Sequence, residues 1–348
     1  MKSIVKNWKF IVYYILLIAA AVFAFPRIRA IMEPKIVIAG LEQAAYDNSL
    51  VTGELLAGDL CVTVNDVNSI EAPAPDGIYG AGVFDLNAGK VLFSYKLHDR
   101  LFPASTTKMM TALLAFEKGN LSEEITVGDD AVHFAADESV SSLKYGDVLS
   151  MEELIYGLML PSGNDAAVVI ADNISGSVTA FSDLMNEKSK EIYAVHSHFV
   201  NPNGLHDENH YTTVYDLYLI LNACMKESGF SKVVNTKKYI AEIVDSSGVE
   251  RDQDWGNSNF FISGKAQLPT EIHVIGGKTG TTGAAGNCLA LYWEDSDNNP
   301  YITIVMGAYS KEYLYNYLAT IMKATLTSKG INYEDVPVFP AVSQEVTQ

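Results

Sequence analysis

Cysteine and basic residues are both scarce in this chain of 348 residues. The three cysteines, Cys61, Cys224 and Cys288, lie far apart, which fits neither a disulfide framework nor a Cys-x-x-Cys metal site. Two of them would be free to pair in an oxidising compartment, but Cys224 and Cys288 lie in apolar runs and are expected to be buried thiols. Lys and Arg number 24 against 42 Asp and Glu, a net charge of −18. Because no basic stripe follows the N-terminus, we expect no nucleic-acid partner.

Long hydrophobic runs are also few, and only one has the flanks of a targeting segment. Residues 10–25 form an uncharged run of 16 residues, short of the roughly 20 that span a bilayer. Lys2, Lys6 and Lys9 precede this run, and a basic flank before an apolar core predicts export. We therefore interpret residues 1–32 as a signal peptide or anchor, favouring a retained anchor, with the remainder at the extracytoplasmic face of the membrane or in the cell wall.

The rest of the chain has the composition of a folded protein, with 48% hydrophobic and 19% charged residues and no internal repeat. We predict a lead-in over 33–75, a catalytic domain over 76–332 and a C-terminal tail over 333–348. A hairpin and later strand-like runs surround a helical block, and a last helix closes the domain. This order predicts an α+β fold, an antiparallel β-sheet flanked by helices with a helical subdomain. The predicted strands are 78–85, 91–95, 276–282, 289–293 and 301–308, and the predicted helices are 151–160, 165–173, 177–193, 212–227 and 311–329, besides one that begins near residue 105.

Three short motifs carry the chemistry: Ser105-Thr106-Thr107-Lys108, Ser162-Gly163-Asn164 and Lys278-Thr279-Gly280. A serine hydroxyl is a weak nucleophile at neutral pH, so it needs a nearby base and a site that stabilises the oxyanion. A lysine three residues after a serine on a helix lies on the same face, within reach of it. The combination predicts a serine acyl-transfer enzyme.

Each motif alone is weak, because Ser-x-x-Lys also begins at Ser3 and Ser141, and Ser296 begins a Ser-Asp-Asn. Only Ser105 opens a convincing helix, since Pro103 suits a first turn and an apolar stripe follows. Ser3 lies in the basic N-terminal tip, Ser141 in a polar stretch and Ser296 in a predicted turn. We therefore assign the nucleophile to Ser105.

The segments around these motifs resemble the serine-type D-alanyl-D-alanine carboxypeptidases, the low-molecular-mass penicillin-binding proteins of the peptidase S11 type. The resemblance covers roughly residues 75–330. It implies a β-lactamase/transpeptidase-like fold and no cofactor or metal. It also implies a role in peptidoglycan biosynthesis, with stem peptides ending in D-Ala-D-Ala as substrate and β-lactams as covalent inhibitors. The resembling segments are 102–113, 146–167, 199–205 and 277–282.

The resemblance assigns three catalytic residues. Ser105 would attack the carbonyl carbon between the two D-alanines. Lys108, as a neutral amine, would take the hydroxyl proton, since burial lowers the pKa of a lysine. Ser162 would relay a proton to the departing amine.

It also assigns five substrate-binding residues. Asn164 would bond the substrate amide and fix the catalytic lysine. Lys278 would supply positive charge, and Thr279 would hold the terminal carboxylate. The backbone N–H of Thr281, with that of the nucleophile, would form the oxyanion hole. Gly280 would let the substrate backbone approach the strand edge.

Three neighbouring positions carry weaker expectations. Gly276 and Gly277 are expected to serve the same close approach of substrate. At Lys311, relatives often have an arginine, and its part in carboxylate binding is left open.

The absence of an amphipathic C-terminal membrane helix of the kind many relatives carry leaves residues 10–25 as the expected membrane attachment.

Other functions are compatible with the same motifs. A β-lactamase would need fast deacylation, but no convincing Glu-x-x-x-Asn lies between the second and third motifs. A DD-endopeptidase is not separable from a carboxypeptidase by sequence. A β-lactam sensor or wall-binding protein would be the non-enzymatic alternative, although sensors usually carry more membrane spans. The histidine pair His206 and His210 lies in a loop-like Asp-Glu-Asn context, which favours surface or structural histidines over a zinc site.

Overall fold

The computed structural model describes residues 60–340. The predicted targeting segment 1–32, most of the lead-in, and residues 341–348 lie outside the described residues, and Ser3 lies there too. Within 60–340, no helix is both long and apolar enough to cross a membrane.

The described chain contains nine strands and eight α-helices. The strands are Gly80–Asp85 (β1), Lys90–Tyr95 (β2), Glu124–Thr126 (β3), Val148–Ser150 (β4), Lys238–Val244 (β5), Glu250–Gly256 (β6), His273–Thr282 (β7), Gly286–Glu294 (β8) and Pro300–Ala308 (β9). The helices are Lys108–Lys118 (α1), Met151–Met159 (α2), Asn164–Ser175 (α3), Val178–Glu191 (α4), Val214–Lys226 (α5), Phe230–Asn235 (α6), Phe260–Ser263 (α7) and Lys311–Ser328 (α8), with 3-10 helices at Ala104–Thr107 and Asp129–Ala131. Every predicted helix and strand is present, with ends shifted by a few residues.

A five-stranded antiparallel sheet, in the order β2-β1-β9-β8-β7, forms the centre of the protein. Successive side chains on its strands enter opposite cores: Ile304 packs with the helical block, whereas Val305 packs with α8. In the same way, Ala290 packs with the helical block and Leu291 packs on the side of α8. This period of two is what a sheet covered by helices on both faces requires. The predicted α+β class is confirmed.

A second sheet, with the order β3-β4-β5-β6, was not predicted. Its longest pair, β5 and β6, is a regular hairpin from Lys238–Gly256 to Val244–Glu250. The sequence of β6, Glu-Arg-Asp-Gln-Asp-Trp-Gly, has one large apolar side chain, Trp255, and that residue is 2% exposed. Because charged residues fill the exposed positions, the strand lacks the β-branched and aromatic residues by which strands are recognised.

The folded domain extends beyond both predicted boundaries. Residues 60–75 are not a separate lead-in, because Cys61 and Ile70 are buried and the backbone N–H of Ser94 in β2 donates to the carbonyl of Val67. Likewise, residues 333–340 are not a free tail, since Val338 is buried in the core beneath α8. Both segments lack helical or strand periodicity, so their burial left no pattern in the sequence to detect.

The three cysteines are free and buried. Cys224 and Cys288 are buried thiols, as predicted. Burial raises the pKa of the Cys61 thiol to about 11 and that of Cys288 to about 12. Such thiols remain protonated and unreactive at neutral pH.

Candidate active site

The first motif spans the junction between a 3-10 helix and α1. Ser105 lies in the 3-10 helix Ala104–Thr107, and Lys108 is the first residue of α1. Ala104, directly before the serine, has a φ of +48°, a conformation that costs a non-glycine residue about 1–3 kcal/mol and that clusters at functional sites. Met109, Met110 and the rest of the apolar stripe anchor α1 in the core and thereby fix the motif.

Lys108 is fully buried, and its amine has three partners. Its Nζ donates to Asn164 Oδ1 at 2.7 Å and to the carbonyl oxygen of Asn203 at 2.7 Å, and it lies 3.0 Å from Ser105 Oγ. A neutral amine has two N–H donors and one lone pair. The two oxygens use both donors, which leaves the lone pair for the serine hydroxyl. This geometry suits a neutral general base.

The electrostatic surroundings favour the same state. Desolvation is the main cause that holds the pKa of Lys108 well below its usual value, and the positive charge of Lys278 lowers it further. Asp165 and Glu138 act in the opposite direction, but more weakly. Because the charged form is disfavoured, the amine is able to accept a proton near neutral pH.

The second motif turns the chain between α2 and α3. Ser162 has a φ of +70°, again a left-handed conformation at a non-glycine residue. Gly163 is needed here, because a Cβ at this position would lie 1.9 Å from Ser141 Oγ. The next N–H, from Asn164, donates to the carbonyl of Ser139 at 2.8 Å. The turn is therefore held against the loop that contains the second Ser-x-x-Lys, and Ser141 itself is buried and donates to the carbonyl of Gly157.

The third motif lies on β7, an edge strand of the central sheet. Lys278 is 1% exposed, and its Nζ donates to Ser162 Oγ at 2.9 Å and to the carbonyl of Thr279 at 3.0 Å. Burial lowers the pKa of Lys278 to about 7. The second and third motifs therefore meet directly, and Lys108 joins the first to the second.

Thr279, Gly280 and Thr281 are the next residues of β7, and all three line a cavity of about 120 Å³ together with Ser105 and Ser162. Thr281 also lines a larger cavity of about 530 Å³ on the other side of the nucleophile. Six of the eight predicted site residues thus line these two cavities, and the buried Lys108 and Lys278 are hydrogen-bonded to four of the six.

Gly276 and Gly277 of β7 are required by packing inside the protein, and not by the predicted close approach of substrate. A Cβ on Gly277 would lie 1.9 Å from the carbonyl oxygen of Ala290, and one on Gly276 would lie 2.5 Å from Val234. Both residues have φ near +150°, so they are glycines because of packing against β8 and α6, not because of substrate. Gly280 faces the 3-10 helix, where a Cβ would lie 3.0 Å from the backbone nitrogen of Ser105.

Comparison with known proteins decides the family. A family model described as Peptidase S11, D-alanyl-D-alanine carboxypeptidase, matches residues 79–310, more than half of the chain. The chain belongs to this family. The resemblance inferred from the motifs is thereby confirmed.

Individual S11 relatives match the same region. The chain is 32% identical over 234 residues to the D-alanyl-D-alanine carboxypeptidase DacF of Bacillus subtilis, a match that covers 66% of this chain but 57% of DacF. It is 33% identical to the D-alanyl-D-alanine carboxypeptidase of Streptomyces sp. strain K15, covering 70% of this chain and 84% of that protein. The crystal structure of the Streptomyces K15 DD-transpeptidase superposes with a TM-score of 0.68 at 28% identity, covering 73% of this chain and 98% of that one.

Three contributors to this S11 site were not found from sequence. Asn203 offers only a backbone carbonyl to Lys108, and a carbonyl has no sequence signal. Ser258, on the segment between β6 and α7, shares a hydrogen bond of 2.9 Å with the hydroxyl of Thr279. The sequence places His210 in a loop-like context as a surface or structural histidine, and the structure shows that it is buried and bonded to Thr107 Oγ1 at 2.7 Å. No metal-binding group of three or more His, Cys, Asp or Glu occurs within residues 60–340.

Proposed function

We propose that this protein is a serine-type D-Ala-D-Ala carboxypeptidase, which removes the terminal D-alanine from peptidoglycan stem peptides and is inhibited covalently by β-lactams. The observation that carries the proposal is the direct linkage of the three motifs. Lys108 touches both Ser105 and Asn164, and Lys278 touches Ser162.

In the acylation step, Ser105 Oγ forms a bond to the carbonyl carbon of the penultimate D-alanine, and its proton passes to the neutral amine of Lys108. The N–H groups of Ser105 and Thr281 stabilise the oxyanion, since β7 is an edge strand with backbone groups free to face the cleft. The C–N bond then breaks, and the proton that Lys108 took passes through Ser162 to the departing amine, which leaves Lys108 neutral again. Lys278 Nζ donates to Ser162 Oγ at 2.9 Å and orients that hydroxyl.

In the deacylation step, water attacks the ester carbonyl and gives up one proton, which returns to the Ser105 oxygen as the acyl group leaves. The net reaction adds one water across one peptide bond, so no cofactor or metal is needed. Lys108 and the oxyanion donors serve this step as they serve the first.

The terminal carboxylate binds on the side of the cleft that holds Thr279 and Lys311. Both line the smaller cavity, and Lys311 makes no ion pair with any other residue within 60–340. Lys311 is also the first residue of α8, a helix of 18 residues whose N-terminus favours an anion. We assign Lys311, whose role the sequence leaves open, to carboxylate recognition.

Incubation with a pentapeptide ending in D-Ala-D-Ala, with assay of free D-alanine, tests the function. We expect release by the wild type and none by Ser105→Ala. A labelled penicillin is expected to attach to the wild type and to leave Ser105→Ala unlabelled. Rapid turnover of the penicillin would identify a β-lactamase instead, and labelling without any peptide hydrolysis would identify a sensor or wall-binding protein.

Export is a separate proposal that rests on sequence alone. We propose that residues 1–32 direct the protein to the extracytoplasmic side of the membrane, where its substrate lies. Mass spectrometry of the N-terminus from membrane and released fractions distinguishes a retained anchor from a cleaved signal peptide. Recovery of the protein in the cytoplasm with its N-terminus intact would contradict export.

A further inference from the structure

Two cavities of unequal size meet at the nucleophile. Ser105 lines both of them, and the smaller measures about 120 Å³ against about 530 Å³ for the larger. The two sides of the scissile bond therefore have different amounts of space. Which side takes the leaving group decides what the enzyme can cut.

The smaller cavity is the leaving-group side, an assignment that rests on the proposed function. Ser162, the proton relay to the departing amine, lines the smaller cavity, whereas Asn164 lines the larger one. Lys311 and Thr279, the carboxylate-binding groups, also line the smaller cavity. A terminal D-alanine places its amine and its carboxylate on these two sets of groups.

An aromatic pair, Phe260 and Tyr315, also lines that cavity. The ring of Phe260 stacks on the ring of Tyr315 with centroids 4.8 Å apart and planes inclined by 12°. The backbone N–H of Phe260 donates to the hydroxyl oxygen of Tyr315 at 2.8 Å. Tyr315 lies on α8 and is 1% exposed, so the pair has little freedom to move aside.

The chain beyond α8 supports this pair from behind. Phe339 contacts Phe260 and Tyr315 edge to face, with centroids 6.5 Å and 6.3 Å away. Its segment is fixed by the N–H of Gln267, which donates to the carbonyl of Val338 at 2.8 Å. The aromatic lining is therefore held by a backbone bond, a stack and a third ring.

We propose that Phe260, fixed on Tyr315 and supported by Phe339, limits the leaving group to a single small amino acid that carries its own carboxylate. A larger departing group, such as the diamino acid of a cross-linked stem peptide, would have to displace the ring. The protein would then act as a carboxypeptidase and not as an endopeptidase, a distinction that the motifs alone do not make.

The test compares two substrates on the same protein sample, one acyl-peptide ending in D-Ala-D-Ala and the same peptide ending in D-Ala-D-Phe. The measured quantity is the ratio of their kcat/KM values, which cancels any loss of folded enzyme. We expect the wild type to prefer D-alanine strongly and Phe260→Ala to reduce that preference about tenfold or more, the scale on which pocket size discriminates.

The matched control is Phe261→Ala. Phe261 is the next residue of the same short helix and also contacts Tyr315, with centroids 4.8 Å apart, but it lines a separate groove with Leu268 and Pro269. Removal of the Phe261 ring is expected to leave the preference for D-alanine over D-phenylalanine unchanged. Labelling of each variant with penicillin reports that the catalytic residues remain in place.

The outcomes are separable. An unchanged preference in a fully labelled Phe260→Ala variant would overturn the inference, and so would a wild type that cleaves both peptides equally well; the carboxypeptidase proposal would survive either result. A wild type that is labelled by penicillin and releases neither D-amino acid would overturn the proposed function, and this inference with it.

Discussion

The side-chain oxygen of Asn164 lies 2.7 Å from the amine of Lys108, in a site from which solvent is excluded. An amide oxygen at this position orients the amine without adding charge. A carboxylate there would stabilise the ammonium form instead, because an opposite charge within about 4–6 Å raises a lysine pKa by roughly 1–3 units. The choice of Asn over Asp therefore keeps Lys108 a base.

Asn164→Asp is expected to slow acylation by labelled penicillin at neutral pH by about 10- to 1,000-fold, in proportion to the lost neutral amine. Because only deprotonation of Lys108 restores the base, the rate is expected to recover as the pH rises. Asn164→Ala is the control: it removes the hydrogen bond to Lys108 without adding a charge, so it slows the reaction without moving its pH dependence upward. A wild-type pH profile in Asn164→Asp would remove Lys108 from the role of general base.

Asp165 holds the loop that carries Ser139, a residue that lines both cavities of the cleft. Its carboxylate accepts hydrogen bonds from the N–H groups of Ser141 at 2.7 Å and Leu143 at 3.1 Å, all within the protein interior. Asp165→Ala is expected to cost a few kcal/mol in the free energy of unfolding, since each buried N–H left without an acceptor costs about 1–3 kcal/mol. Urea denaturation measures the loss. Asp172→Ala, on the same helix, makes no such bonds and is expected to be neutral or slightly stabilising; equal losses in both would contradict the role of Asp165.

The arrangement of the site could be predicted from sequence because its chemistry needs particular side chains at particular spacings. Ser105, Lys108, Ser162 and Lys278 carry that signal, and the structure brings them together. Asn203 could not be predicted, because it acts through a backbone carbonyl that every residue possesses.

The parts of the fold that the sequence did not predict escaped detection for a similar physical reason. The central sheet and its helices were predicted because their apolar residues alternate or recur every three to four positions. Strand β6 of the β5–β6 hairpin is rich in charged residues and buries only one side chain, and the segments around residues 60–75 and 333–340 are irregular. These parts are ordered by long-range contacts, such as Phe339 on Tyr315, that leave no local period.

Lys311 provides a test of carboxylate recognition. Lys311→Ala is expected to lower kcat/KM for a peptide with a free C-terminal carboxylate by roughly 10- to 150-fold, because a hydrogen bond to a charged group contributes about 1.5–3 kcal/mol. Lys311→Arg keeps the charge and is expected to retain most of the activity. The same peptide with an amidated C-terminus lacks the anion, so Lys311→Ala should lose nothing further on it. An equal loss on both peptides would show that Lys311 does not bind the carboxylate.

His210 links stability to pH. Its Nδ1 accepts a hydrogen bond from the N–H of Val200, so Nε2 carries the proton and donates to Thr107 Oγ1. Burial is the main cause that lowers the pKa of His210 to about 4, whereas an unfolded histidine titrates near 6.5. The unfolded chain therefore binds the proton first as the pH falls. The contribution of His210 to stability should be lost between about pH 6.5 and pH 4, at most about 3 kcal/mol in total.

Urea denaturation of the wild type and His210→Gln at several pH values between 7 and 4 measures this loss. The variant loses the ring that bonds Thr107 and Val200, so it should be the less stable protein at pH 7. Because only the wild type loses the contribution of His210 as the pH falls, the difference in the free energy of unfolding between the two proteins should shrink. Other titrating groups are common to both proteins and cancel in that difference. The matched control is His133→Gln, the same substitution at a histidine side chain that is 70% exposed. A constant difference for His210→Gln would mean that the ring takes up its proton at the same pH in the folded and the unfolded protein, and His210 would then not link stability to pH.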